Sequence, residues 1–387
     1  MINENSDKKI LILGSTGSVG RQACDVVLEH SLSAEGMCAG KNVKLAESQA
    51  RMLRPKFFAM ADEGAARELK TVLADTDITV LAGLEGIKEM IARSQADIAV
   101  NSIMGRAGLE PTLAAIEKGM NIALANKETL VAAGKIVMAA ARREGVKILP
   151  VDSEHCAIAQ CLTAGRHEEV SRLIITASGG PFFGRTRDEL RDITPLMALS
   201  HPTWNMGAKI TVDSATMMNK GFEVIEACRL FDIPPERIDT IVHRESVIHS
   251  MVEYNDRSVI AQMAVPDMRM CVRYALFYPE RVECSAQRLD LASIGKLTFY
   301  KPDFENFPLL GAAYDALRRG GVIPCVLNAA NEEAVSLFLA GKIRFTDIFS
   351  SVCEVTSTFK NIDSPDLDDI YSADGEARRA VDGYFGI

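Results

Sequence analysis

Seven short apolar runs, separated by longer amphipathic stretches, occupy the first 150 residues and restrict the fold more than any other feature of the chain. KILILG (9–14), GMCAG (36–40), KFFAM (56–60), ITVLAG (78–83), DIAVNS (97–102), NIALA (121–125) and KILPV (147–151) read as buried strands. SVGRQACDVVLEH (18–30) and the stretches 43–53, 84–93, 109–118 and 127–144 carry the helical period between them. Strands that alternate with helices need crossover connections, and these lay strands side by side in one direction. A parallel sheet follows.

Beyond residue 151 the pattern changes. HCAIAQCL is helical in period, VSRLIITA (170–177) is a strand, and a long irregular stretch leads to a helical segment at about 214–231. IDTIVH (238–243), VIHSMVEY (247–254) and SVIAQMAV (258–265) are strand-like, which predicts a second α/β domain on a mixed sheet. Residues 278–304 are irregular and contain Pro279 and Pro302; from about 306 to the end every segment has a helical pattern. A length of 387 residues suits two or three domains, since single cores seldom grow past ~250–300 residues. The expected division is 1–150, 151–277, a linker at 278–305, and a helical bundle at 306–387. The chain contains no internal repeat or low-complexity segment.

Charge excludes some partners. Lys and Arg number 43 against 52 Asp and Glu, a net charge of −9, which argues against nucleic acid as the main partner. An anionic small molecule is still open, because a local cluster of lysine, hydroxyls and amides can outweigh distant charge. The nine cysteines form no CxxC pair and no zinc spacing. Cys24, Cys38, Cys161, Cys228 and Cys271 sit mostly among apolar neighbours and read as buried thiols in a reducing compartment. The opening MINENSDKKILILGSTG has neither the apolar core of a signal peptide nor a transit composition. Apolar runs stay short of the ~18 residues that a membrane span needs. A cytoplasmic protein is expected.

ILILGSTGSVGRQ places Gly14, Gly17 and Gly20 between a strand and a helix. Such glycines allow a tight turn, a close approach of backbone to a pyrophosphate, and helix packing on the strand. The helix N-terminus then offers its amides and positive dipole end to phosphate. The spacing GxxGxxG is a variant of the dinucleotide fingerprint, so the first domain is expected to be Rossmann-like. An NAD site usually closes its second strand with a carboxylate that holds the ribose hydroxyl. Here the second strand ends in Gly40, Lys41 and Asn42, and the next carboxylate is Glu47. A cation and an amide suit a 2′-phosphate, which predicts NADPH over NADH; a solvated lysine at a helix start is the plainer alternative.

Asp152, Ser153, Glu154 and His155 interrupt an otherwise apolar stretch, ILPVDSEHCAIAQCL. On extended chain Asp152 and Glu154 share a face, and two facing carboxylates call for a cation. A hard divalent ion such as Mg²⁺ or Mn²⁺ takes such oxygens. The alternative makes Asp152 the cap of a helix and Glu154 part of its first turn. KITVDSATMMNKGFEVIEA (209–227) adds Ser214, Asn219, Lys220 and Glu223. On a helix the last three share a face. They read either as a surface Lys220–Glu223 ion pair or as a third metal ligand beside phosphate donors. Ser178 in TASGGPFFG precedes a glycine turn whose amides can meet an anion, and His201 and Trp204 lie in a Pro/Gly-bounded loop, LSHPTWNMGAK, suited to a lid. Asn126, Lys127 and Glu128 close a strand of the first domain, or simply start the next helix with Asn126 as cap.

GSTGSVG, AGKN, NKE, VDSEHCAI, SGGPF, HPTWNMG and VDSATMMNKGFEVIEA, in this order, resemble the 1-deoxy-D-xylulose 5-phosphate reductoisomerases. The motifs run from residue 14 to about 227, and the helical tail fits that family's third domain. The resemblance implies an α/β cofactor domain, an α/β catalytic domain, a C-terminal four-helix bundle and a V-shaped homodimer. It implies metal ligation by Asp152, Glu154 and Glu223. Substrate phosphate would meet Ser178, Ser214, Asn219 and Lys220, with His201 closing over it, while Lys127, Ser153 and Glu154 approach the hydroxyl and keto oxygens. Catalytic roles fall to Glu154, Lys127 and His201. NADPH would meet Thr16, Gly17, Ser18, Val19, Gly40, Lys41, Asn42, Asn126, Glu128 and Gly207, and Trp204 and Met206 would cover substrate and nicotinamide.

The chemistry implied is isomerisation of a phosphorylated ketose with a divalent cation as Lewis acid. The C3–C4 bond breaks in a retro-aldol step, the pieces rejoin as a branched aldehyde, and reduction by NADPH gives 2-C-methyl-D-erythritol 4-phosphate. A lid would exclude water from the reactive intermediates. Two other functions use part of the same chain. A metal-independent NADPH dehydrogenase of a small aldehyde or hydroxy acid leaves Asp152, Glu154 and Glu223 idle, and a non-enzymatic NADP-binding sensor needs only the glycine loop.

Overall fold

The computed structural model describes residues 8–200 and 207–387. The expected roles of His201, Trp204 and Met206 lie outside the described residues. Contacts divide the chain into two units: Met1–Thr129, Val137–Cys156 and Asp267–Gln287 form the first, and Leu130–Ile136, Ala157–Pro266 and Arg288–Ile387 the second.

In chain order the first part of the fold runs β1 (Lys9–Leu13), α1 (Ser18–Glu29), β2 (Ser33–Ala39), α2 (Val43–Leu53), β3 (Phe57–Met60), α3 (Glu63–Val72), β4 (Thr79–Ala82) and α4 (Gly83–Arg93). It continues with β5 (Ile98–Asn101), α5 (Leu109–Glu117), β6 (Asn121–Leu124), α6 (Lys127–Glu144), β7 (Ile148–Pro150) and α7 (Ser153–Cys161). The seven strands form one sheet in the order β4-β3-β2-β1-β5-β6-β7, and every pairing is parallel. Ile10, Leu11, Ile12 and Leu13 are all 0% exposed, as expected for a central strand covered on both faces. The strand order reverses between β1 and β5, and a crevice at the carboxyl ends of such a pair is where open α/β sheets take ligands. Side-chain caps fix the helix starts. Asn42 accepts from the Leu45 amide at 3.1 Å, Asp62 from Ala65 at 2.9 Å and Asn126 from Thr129 at 2.9 Å. Helix α11 (Met268–Phe277) joins this unit's core through Val272, Ala275, Leu276 and Phe277.

The remaining elements are β8 (Val170–Ala177), α8 (Pro195–Ala198), α9 (Ala208–Ala215), α10 (Met218–Phe231), β9 (Ile238–Val242), β10 (Ile248–Tyr254), β11 (Val259–Met263), α12 (Leu291–Ile294), α13 (Pro308–Arg319), α14 (Ile323–Leu339), α15 (Phe345–Thr358) and α16 (Leu367–Phe385). The second sheet has the order β11-β10-β8-β9; β8 and β9 are parallel, and the other pairings are antiparallel. It is the mixed sheet expected from the sequence. Helices α13 to α16 share one core with α9, α10 and the sheet, including Val212, Phe222, Leu309, Ala313, Val326 and Phe349. Phe345 anchors it through edge contacts to Phe182, Phe338 and Phe349 at 5.3, 5.6 and 5.4 Å. A Cβ on Gly221 would lie 2.6 Å from the Ala313 Cβ, so α10 and α13 touch where glycine leaves room.

The expected helix at 214–231 is two helices. Met217 sits in the left-handed region at φ 64° and turns the chain between α9 and α10. That break separates Ser214 from Asn219 and redirects the second helix.

Candidate active site

In the first unit the glycine loop leaves β1 and enters α1 with little space around it. Gly14 has φ 89°, and a Cβ there would lie 2.8 Å from the Ser102 carbonyl. A Cβ on Gly20 would lie 2.1 Å from the Gly14 oxygen. Only glycine fits either place, so α1 packs tightly on the turn, as a pyrophosphate cradle needs. Gly17 caps α1 without a side-chain bond, leaving Thr16, Gly17, Ser18 and Val19 at the helix's positive end. Ser102, at the end of β5, ties the loop down by donating to the carbonyls of Leu13 and Gly14 at 2.9 and 3.2 Å. DIAVNS reads as a strand from its sequence, and nothing in that pattern marks Asn101 or Ser102 for a role. Their signal is position: they end the strand beside the switch point.

Gly40, Lys41 and Asn42 follow β2, whose Cys38 carbonyl accepts from the Gly14 and Ser15 amides of the glycine loop. The Lys41 side chain is 84% exposed and lies 3.6 Å from Asp62. An ammonium so loosely held can turn to a phosphate. Asn126 is the helix cap of the plainer reading, and its amide also donates to the Gly105 carbonyl at 2.9 Å and to that of Ile103. It thereby fixes the loop after β5. Glu128 lies in the first turn of α6.

Asp152 and Glu154 reach their positions by a different route from the one expected. Helix α7 starts at Ser153, so Asp152 directly precedes it and Glu154 falls in its first turn. The Cys156 amide donates to the Asp152 carbonyl at 2.8 Å. The same-face argument for extended chain therefore does not apply; the helix start wins because the dipole favours both carboxylates there. Carboxylate oxygens of the two residues still lie within 4.8 Å of each other. Lys127, 5% exposed, places its ammonium 2.6 Å from an Asp152 oxygen. Burial alone would raise the Asp152 carboxyl. The charge of Lys127, with that of His155 and a bond with Glu154, outweighs burial and holds it far below the usual carboxylate range. Ser153 donates to Glu154. The carboxylates of Asp152 and Glu154 are hard oxygen donors, and they fit a divalent cation such as magnesium or manganese.

The residues expected to meet phosphate, Ser178, Ser214, Asn219 and Lys220, all belong to the second unit. Ser178 follows β8, and Gly179 and Gly180 turn the chain at φ 77° and 66°. A Cβ on Gly180 would lie 2.6 Å from the Ser214 carbonyl oxygen, so the turn rests against the end of α9. Arg244, just past β9, donates to the carbonyls of Ser178 and Gly180 at 2.5 and 2.8 Å. No local sequence pattern marks this brace. It is visible only once β8 and β9 are known to be parallel neighbours whose ends coincide. On α10, Asn219 donates to Glu223 at 2.6 Å, and the Lys220 ammonium bonds the other carboxylate oxygen. Lys220 and Glu223 are 4% and 1% exposed. The pair is thus formed, yet it is buried, unlike the surface ion pair of the plainer reading. Asn219 and Lys220 between them engage both Glu223 carboxylate oxygens and so orient the group.

Models of the 1-deoxy-D-xylulose 5-phosphate reductoisomerase family match residues 10–134, and models of its C-terminal domains match 148–231 and 263–380. The reductoisomerase of Acetivibrio thermocellus is 53% identical over 374 residues, covering 97% of this chain and 98% of the relative. That of Caldanaerobacter subterraneus subsp. tengcongensis is 52% identical over 377 residues, with 97% and 98% covered. Among solved structures, the Zymomonas mobilis reductoisomerase in complex with NADPH superposes with a TM-score of 0.92 at 41% identity, covering 98% of this chain and 99% of the other. A DOX-P reductoisomerase in complex with NADPH, fosmidomycin and magnesium gives 0.91 at 37% identity, with 98% of each chain covered. With matches over nearly its whole length and an α/β architecture shared from end to end, the chain belongs to the 1-deoxy-D-xylulose 5-phosphate reductoisomerase family.

Proposed function

We propose that this chain converts 1-deoxy-D-xylulose 5-phosphate to 2-C-methyl-D-erythritol 4-phosphate, with NADPH as reductant and a divalent cation, in the non-mevalonate route to isoprenoid precursors. The observation that carries the reading is the second unit's cluster. A glycine turn with Ser178, the end of α9 with Ser214, and the buried Asn219–Lys220–Glu223 face of α10 belong to one compact unit. A dehydrogenase or a sensor has no use for such a cluster.

The cation is assigned to Asp152, Glu154 and Glu223, and NADPH to Thr16, Gly17, Ser18, Val19, Gly40, Lys41, Asn42, Asn126, Glu128, Met206 and Gly207. When bound, the cation supplies Lewis-acid polarisation of the ketose carbonyl and NADPH supplies the hydride. The chain's own residues do the rest. Ser178, Ser214, Asn219 and Lys220 donate to the substrate phosphate and so fix the reacting carbons in place. Lys127 holds Asp152 ionised and donates to a substrate hydroxyl; Ser153 orients Glu154. His201 and Trp204 come from the segment assigned to close over the substrate and exclude water. The chain acts as a homodimer in the cytoplasm, with segments 1–150, 151–277 and 306–387 as cofactor, catalytic and helical parts. No helix among the described residues is long and apolar enough to cross a membrane.

The test is direct. NADPH absorbance should fall on addition of 1-deoxy-D-xylulose 5-phosphate with Mg²⁺ or Mn²⁺, and chelation should stop it. Oxidation that persists without metal would instead indicate a plain dehydrogenase.

A further inference from the structure

Helix α9 carries Ser214 and, immediately before it, a buried carboxylate, Asp213. Asp213 is 1% exposed. One of its oxygens takes the ammonium of Lys209, one turn earlier on the same helix, at 2.9 Å. The other accepts from the side-chain amide of Asn331 at 2.7 Å. Asn331 is 0% exposed and belongs to α14, in the middle of the C-terminal helices. Lys209 also lies over the Phe222 ring of α10, 4.9 Å from its centroid. These contacts tie the three helices α9, α10 and α14 together through one carboxylate.

We infer that Asn331 is a positioning residue for substrate phosphate: through Asp213 it sets the rotation of α9, and with it the direction of the Ser214 hydroxyl. The inference rests on the reading that Ser214 meets the phosphate. Three observations support it. Adjacent helical residues point about 100° apart, so anchoring Asp213 in the bundle fixes where Ser214 faces. The carboxyl end of α9 is confined by the Gly180 turn, which leaves no slack at the Ser214 carbonyl. Helix α9 is also only eight residues long and is followed within two residues by the left-handed Met217, so it cannot hold its own orientation as a long helix would. An Asp213 carboxylate that lost the Asn331 amide would keep Lys209 of its own helix but lose its bond to α14, and α9 with it would lose that anchor on the bundle. The C-terminal helices thus form part of the substrate site's support although they contribute no phosphate donor.

The test compares four full-length variants: Ser214→Ala, Asn331→Leu, Asn331→Asp, and the exchange Asp213→Asn with Asn331→Asp. Steady-state kinetics in 1-deoxy-D-xylulose 5-phosphate and NADPH are measured alongside thermal unfolding. Asn331→Leu should raise KM for the phosphorylated ketose by roughly ten-fold, with kcat changed by less than about two-fold and KM for NADPH unaltered. Asn331→Asp should be worse, since two carboxylates then face each other. The exchange restores one amide and one carboxylate, with Lys209 free to donate to the amide oxygen introduced at position 213, and should recover most of the lost KM. A KM for the ketose that stays at the wild-type value in Asn331→Leu, while Ser214→Ala raises it, overturns the inference. An unchanged KM in Ser214→Ala removes the underlying reading as well. If Asn331→Leu fails to fold, the exchange decides: recovered folding with a KM still raised counts against the inference, and recovery of both supports it.

Discussion

The Lys127 ammonium lies 2.6 Å from the Asp152 carboxylate, and the two side chains are 6% and 11% exposed. The pair joins the start of α6 to the residue just before α7, each a short step past the end of a strand of the parallel sheet. Breaking a buried pair from one side leaves a charge without compensation. Lys127→Met should therefore cost about 3 kcal/mol of stability at neutral pH and lower kcat/KM by at least roughly a hundred-fold. The pH dependence has a definite sign. The folded pKa of Asp152 is depressed, so its contribution is complete above the unfolded value of about 3.9 and fades as pH falls through the folded one. Denaturant titrations should show the gap between wild type and variant full at pH 7 and narrowing below about pH 4. A gap that widens on acidification contradicts the assignment.

Lys41 tests the cofactor's second phosphate. Its ammonium is exposed and loosely paired with Asp62, so replacing it disturbs little of the fold. Lys41→Glu should reduce the preference for NADPH over NADH by roughly ten- to a hundred-fold, the range of one charge-assisted bond of about 1.5–3 kcal/mol. Initial rates with the two cofactors measure it, and unchanged selectivity removes Lys41 from the site.

Gly221 stands between Lys220 and Glu223 and faces Ala313 across a contact with no room for a methyl group. Gly221→Val should destabilise by about 1–3 kcal/mol through overpacking and should impair substrate binding by shifting α10. Adding Ala313→Gly should return part of the stability. Thermal unfolding of the single and double variants distinguishes this from a general loss of helix structure, in which the second change brings no relief.

Arg244 braces the Ser178 turn from the neighbouring parallel strand. Arg244→Met should raise KM for the phosphorylated ketose several-fold and leave the dissociation constant for NADPH unaltered. Equal weakening of both ligands indicates a wider disturbance of the fold.

Much of this architecture is legible in the sequence because the governing patterns are local. VSRLIITA and the stretches 43–53 and 127–144 coincide with β8, α2 and α6 at both ends, since apolar runs and capping residues mark those limits within the segment itself. The resemblance likewise rests on short contiguous motifs. What escapes notice depends on distant chain or on a boundary that the pattern leaves open. KILPV suits extended geometry for Asp152 and Glu154, yet β7 stops at Pro150 and α7 begins at Ser153. The break at Met217 gives no signal, because a left-handed methionine is held by packing and not by its own preference. Arg244 and Asn331 act through partners 64 and 118 residues away, and no periodicity reports such a distance. Helix α11 packs with the first unit although the chain reaches it after the second sheet.

The proposed reaction turns on Asp152, Glu154 and Glu223 holding a single divalent ion. Electron paramagnetic resonance titration of Mn²⁺ into the purified protein measures free and bound ion without requiring turnover. The wild type should bind one tight ion per chain, with an affinity weakened more than roughly ten-fold in each of Asp152→Asn, Glu154→Gln and Glu223→Gln. Wild-type Mn²⁺ affinity in the Glu223→Gln variant would refute the shared site.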